Sequence, residues 1–142
     1  MNIIKRKNLI IYELNEVPKK IIDYYVKIKP NSNLNKLIIK GTFIETTTDD
    51  VGELHPWSSW PTVHRGVDNS MHKIRFINQN LKIAKNYPPI WELLIKQKIS
   101  IGIFGSLQSY PPIKSKYVKF YVPDTFAPKP DSIPQRLSNF QR

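Results

Sequence analysis

Apolar residues along the chain fall into short continuous runs that alternate with helical stripes. Asn8 to Leu14 is one such run, the pattern of a strand buried on both faces in a parallel sheet. A helix follows. Asn15 or Glu16 stands where a cap belongs, Pro18 suits the first turn, and Ile21, Ile22, Tyr25 and Val26 line one face before Pro30 ends it. A second short helix is predicted from Asn33, with Leu34, Leu37 and Ile38 on one side and Gly41 as its stop. Phe43 to Thr47 reads as a strand, and the polar, acidic stretch from Thr48 to Trp60 as a loop at a sheet edge.

From Pro61 the pattern allows a short helix toward Gly66, and the segment holding His72, Phe76 and Ile77 shows no clear period. Pro88 to Lys98 predicts another helix, with Ile90, Leu93, Leu94 and Gln97 at helical spacing. Ser100 to Phe104 is a strand whose Gly102 leaves one face nearly bare, and Gly105 to Ser109 reads as a turn at the carboxyl edge. Tyr117 to Val122 is the last strand expected. Pro123 to Arg142 carries four prolines and a weak helical pattern over Ile133 to Phe140.

Strands alternating with helices predict an α/β fold, a partial doubly wound sheet with parallel strands and helices on both faces. Three or four strands make a thin sheet, and a tail of ~20 nearly patternless residues is unusual in a compact domain. The expectation is therefore a truncated sheet. Residues 1–122 would form the N-terminal part of the α/β domain, and 123–142 a Pro-rich segment leading into a remainder not present here. The strand edge so exposed would invite association.

Composition narrows the chemistry. With no cysteine, disulfides, thiolate metal sites and cysteine nucleophiles are excluded, so any metal must be held by oxygen or nitrogen. The 22 Lys and Arg against 11 Asp and Glu give a formal charge of +11, but the lysines are scattered from Lys5 to Lys129 and form no stripe. A solvated basic surface is the expectation, rather than a nucleic-acid groove. The apolar runs are too short for a membrane span. Lys5, Arg6 and Lys7 precede an apolar run that Glu13 cuts short, so no signal peptide is read and the expected compartment is the cytoplasm.

Candidate chemistry lies in two places. Glu13, Asn15 and Glu16 put oxygen donors at the end of the first expected strand, where a hard or borderline cation could be held; capping of the helix by Asn15 and Glu16 accounts for the same residues. The second place is His55 to Gly66. A serine just before a helix has its hydroxyl near the free N–H groups of the first turn, which also welcome an oxyanion or phosphate. Such a hydroxyl needs a base or a metal to become a nucleophile; His55 or His64 could act as the base, and N-capping is the plain alternative.

These residues resemble the N-terminal part of the alkaline phosphatase superfamily, in particular its type I phosphodiesterase and nucleotide pyrophosphatase branch. Leu9 to Glu16 is similar to the first strand ending in a metal ligand, and Ser59-Trp60-Pro61-Thr62 to the nucleophile two residues before a proline. Leu34 to Leu37, Gly41 to Phe43, Pro89 to Leu94 and Ile101 to Gly105 resemble the elements between and beyond. The resemblance implies a metal-dependent phosphoester hydrolase with an alkaline phosphatase-like sheet. Ser59 would be the nucleophile, with Ser58 and Thr62 as second choices. The Trp60 backbone N–H would donate to a non-bridging oxygen, Asn15 and Glu16 (less so Glu13) would bind metal, and Thr62 and His64 would contact the substrate. Its cofactors would be two divalent ions, zinc or manganese, acting in line on the attacking and leaving oxygens.

Two departures qualify the likeness. Asn15 stands where the family usually has Asp, and Val63 where a sulfatase would have Arg, which disfavours the sulfatase branch. His55, His64 and His72 do not match the family's distal ligands, so this chain would hold one metal or none and be inactive by itself. A phosphoryl- or phosphoalkyl-transferase of the same superfamily and a non-catalytic basic binding module are the alternatives.

Overall fold

A computed structural model describes residues 8–141; Lys5, Arg6 and Lys7 lie outside them. The chain divides into two compact units, Met1–Ile44 and Glu45–Arg142.

The first unit contains two helices, α1 (Lys19–Ile28) and α2 (Asn33–Lys40). Pro18, in extended backbone, precedes α1 as its N-cap and accepts from Ile21 and Ile22 N–H, so the cap expected at Asn15 or Glu16 lies at Pro18 instead. An ion pair from Lys19 to Asp23 at 2.6 Å spans one turn of its exposed face. α2 starts at a Ser32 cap, whose hydroxyl accepts from Asn35 N–H at 3.2 Å, and stops at Gly41. Neither helix buries a residue. The strands expected over 8–14 and 43–47 are not formed: Leu9 and Ile10 are 80 % and 88 % exposed in irregular backbone. A doubly apolar strand draws its stability from flanking strands and helices, and two short helices do not provide that setting.

The second unit holds the core. Its helices are α3 (Pro56–Arg65), α4 (Asn69–His72) and α5 (Ile90–Lys96), with 3-10 turns at Leu81–Ala84 and Gln135–Gln141. Strands β1 (Ile101–Phe104) and β2 (Val118–Val122) pair in parallel, Ile101 opposite Val118 and Phe104 opposite Val122, with an irregularity between Ile101 and Gly102. The general α/β expectation holds, as a mixed structure around a two-stranded parallel sheet.

Trp91 from α5 packs with Ile101, Ile103, Val118 and Tyr121, and Leu94, Ile95, Ile113 and Ile133 close the cluster. The bareness of Gly102 is used by its strand partner: a Cβ there would lie 2.2 Å from the Phe120 ring. The Pro-rich stretch after β2 is built into this unit. Ile133 exchanges two backbone bonds with Tyr121, at 2.7 and 2.8 Å, and Pro123, Asp124, Ser132 and Ser138 are buried. Among the described residues, no helix is long and apolar enough to cross a membrane.

Candidate functional site

Helix α3 carries most of the second expected site, but it begins earlier than the sequence suggests. Pro56 occupies its first turn after an extended His55, and Pro61 sits one turn inside. The reason is local: Pro56 brings a preset φ and no donor to a position that needs neither changed. Gly66 closes the helix in the left-handed conformation, φ 66°. Ser59 therefore lies within the first turn rather than before it. Its N–H already returns to His55 O at 2.9 Å, and Trp60 stands where an N–H belongs to the helical ladder. The expected oxyanion donor at Trp60 thus loses its geometric basis.

Three hydroxyls on α3 have different surroundings. Ser58 is buried and its Oγ accepts from Asn69 Nδ2 at 3.1 Å. Thr62 is engaged on two sides. Its Oγ1 donates to Asp50, with the carboxylate oxygens at 2.7 and 2.9 Å, and His72 Nε2 lies 3.0 Å from the same oxygen. Ser59 Oγ donates to His55 O at 2.9 Å, the usual back-bonding of a helical serine. That bond uses the hydroxyl's proton and leaves its lone pairs for an electrophile or a cation.

The Thr62 contact belongs to a polar knot tying three pieces of chain together. Ile74 N–H donates to His72 Nδ1 at 3.0 Å, so the neutral ring carries its proton on Nε2 and donates it to Thr62. Asp50 Oδ1 also takes the Asn69 N–H at 2.7 Å, while the Asn69 side chain bonds both ways with the Val51 backbone, at 3.0 and 3.1 Å. His72 and Asn69 have no exposed surface. Burial holds the His72 ring below its ordinary pKa; Asp50 and Asp68 oppose this shift, and Arg65 and Arg75 add to it. Nothing in the sequence pattern marks Asp50, Asn69 and His72 as parts of one site. The available signal was Asp68-Asn69-Ser70, where Asp68 caps α4 through Ser70 and Met71 N–H.

The other expected residues have distinct places. His64 is buried, stacked on Trp60 at 5.7 Å and edge-on to Trp91 at 5.0 Å, so it is a packing residue between rings. His55 stacks on Trp57 at 5.2 Å and lies 3.6 Å from Glu53. In the first unit, Asn15 and Glu16 form an exposed turn, with Glu16 in the left-handed region at φ 53°, and Glu13 is half-buried. Among the described residues, no three His, Asp or Glu side chains gather as a metal-binding group.

No family model, curated protein or solved structure matches the chain.

Proposed function

We propose that this chain is the nucleophile-bearing part of a metal-dependent phosphoester hydrolase, an alkaline phosphatase-like α/β domain in which Ser59 attacks phosphorus. The observation that carries the reading is the contrast among the α3 hydroxyls. Ser58 accepts from a buried amide and Thr62 is held by a carboxylate and an imidazole, whereas Ser59 spends only its proton, on His55 O. A nucleophile needs an accessible lone pair, and Ser59 is the half-buried hydroxyl of α3 that keeps both of its own. The polar knot below it fixes α3, so the hydroxyl is presented from a rigid element.

The two-metal chemistry of such enzymes is not met by the residues present. Both ring nitrogens of His72 are committed, His64 is enclosed by Trp60 and Trp91, and Glu13, Asn15 and Glu16 offer at most part of a hard-cation ligand set. The contribution of this chain is to orient the attacking oxygen, through the bond of Ser59 Oγ to His55 O.

The test is hydrolysis of a bis-nitrophenyl phosphodiester with zinc or manganese, by the chain alone and with a polypeptide supplying the further Asp and His ligands. We expect no turnover alone. In the supplemented protein, Ser59→Ala should cut turnover by on the order of a thousandfold or more. Metal-dependent turnover by the chain alone would refute the incomplete-site reading, and turnover retained in the Ser59→Ala protein would refute the nucleophile.

A further inference from the structure

Helix α1 separates its side chains into two faces. Lys19, Lys20, Asp23 and Lys27 fall on one side of its surface, and Ile21, Tyr24, Tyr25 and Ile28 on the other. Between them, Ile22 and Val26 are half-buried. The stripe of Ile21, Tyr25 and Ile28, one helical turn apart, is 56 %, 42 % and 51 % exposed. Such a stripe is ordinarily the side of a helix that meets a core, and here it faces outward. The rest of the first unit repeats the pattern. On α2, Leu34 and Ile38 are half-buried while Leu37 and Ile39 are exposed, and Leu9 to Tyr12 are exposed ahead of α1.

Cations are concentrated in the same unit. Met1–Ile44 holds nine Lys and Arg against three Asp and Glu, and Asp23 is already paired with Lys19 at 2.6 Å. Lys20 stands four residues before Tyr24 and Lys27 three after it, so the rim of the apolar face is basic. A lysine there can lay its methylenes along apolar surface and keep its ammonium in a polar layer, and a tyrosine sits well at the boundary between the two. The occupant must therefore be apolar within and anionic at its surface. Nucleic acid supplies the charge, but Leu9, Ile10, Ile21, Ile28, Leu37 and Ile39 offer no ring on which a base could stack. A second copy supplies apolar surface and brings the same formal charge of +11 against it. A bilayer carrying anionic headgroups meets both demands.

We propose that the first unit docks on an anionic lipid surface. α1 lies in the plane of the interface, with Ile21, Tyr25 and Ile28 entering the acyl boundary and Lys20 and Lys27 at the headgroups. The association is peripheral, since ten helical residues are too few to span a bilayer. This inference concerns the first unit alone and does not depend on the hydrolase reading.

The test is co-sedimentation of the full chain with vesicles of phosphatidylcholine alone and of phosphatidylcholine mixed with phosphatidylserine, at low and high salt. The chain should bind the mixed vesicles, bind phosphatidylcholine at least about tenfold more weakly, and lose affinity as salt rises. Ile21→Ser combined with Ile28→Ser should weaken binding by about tenfold or more, with helix content by circular dichroism little changed because both positions are exposed. Lys20→Gln combined with Lys27→Gln should weaken it by about fivefold per lysine. Lys114→Gln combined with Lys129→Gln, an equal charge change on exposed positions of the second unit, should have little effect. The proposal is overturned if the mixed vesicles capture no protein. It is overturned too if the isoleucine variant binds like the native chain, or if both lysine pairs matter equally, since either result marks plain adsorption of a basic protein. A dimer in analytical ultracentrifugation that the isoleucine variant dissociates would assign the face to a second copy, and retention on polyglutamate but not on vesicles would assign it to an acidic polypeptide; both also overturn it.

Discussion

Residues 8–44 and 45–141 carry similar kinds of apolar pattern and put them to different use. In the first stretch no described residue is buried, and Ile21, Leu37 and Ile39 are 56 %, 68 % and 73 % exposed on otherwise well-formed helices. In the second, Trp91, Ile101, Ile103, Val118 and Tyr121 enclose one another. Caps and spacing make a helix locally, as Ser32 and Gly41 do for α2. Burial requires a second surface of matching period, and β1 with β2 supplies one to α5. A stripe thus fixes which residues seek cover, while long-range pairing decides whether they obtain it.

The largest effect that would probe this comparison is expected at Trp91. Its ring is buried within the cluster and also meets the His64 ring in a T-shaped contact at 5.0 Å. Trp91→Ala should cost about 3–5 kcal/mol in urea unfolding, enough to unfold a marginal domain. A loss below about 1 kcal/mol would mean that the second unit lacks the tight packing described.

How much of this was legible beforehand follows the range of the interactions. β1, β2, α2 and α5 announce themselves in contiguous residues: a short apolar run, a Ser or Pro at the start, a Gly or Lys at the end. The start of α3 is ambiguous in sequence because Pro56 and Pro61 each suit a first turn, and only the earlier one occupies it. The knot could not be read at all. Asp50, Thr62 and His72 are spaced through what looks like polar loop, and their meeting depends on the path taken between α3 and α4. Over 8–14 the error ran the other way, since an apolar run reports a demand for burial and says nothing of its location. Ser59 was visible as a hydroxyl near a helix start; its distinction from Ser58 and Thr62 came only with their partners.

The knot predicts a smaller, pH-dependent effect confined to the second unit. His72 is neutral when folded, with Nδ1 bonded to Ile74 N–H and Nε2–H to Thr62, and burial keeps its pKa below the ordinary value of about 6.5. An unfolded chain takes up a proton below that value and the folded one does not. Stability contributed by this ring is thus fully present above about pH 6.5 and falls as the pH drops toward the folded pKa, by about 1.4 kcal/mol per pH unit at most. Unfolding midpoints measured from pH 7.5 down to pH 5 should decline more steeply in the native chain than in a His72→Gln variant. Equal slopes would show that the ring is protonated in place, which the Ile74 bond forbids.

The smallest effect should come from the first unit. Ile39 lies on α2 with most of its surface exposed, and its replacement by serine removes little buried area and changes helix propensity only slightly. Ile39→Ser should therefore shift the helical content and unfolding midpoint by less than about 0.5 kcal/mol. The same change at a covered apolar position would cost several times more, because transfer and cavity terms would both appear. A loss above about 1 kcal/mol would show that the α2 face is covered in solution, and the contrast between the two stretches would then be one of partners rather than of burial.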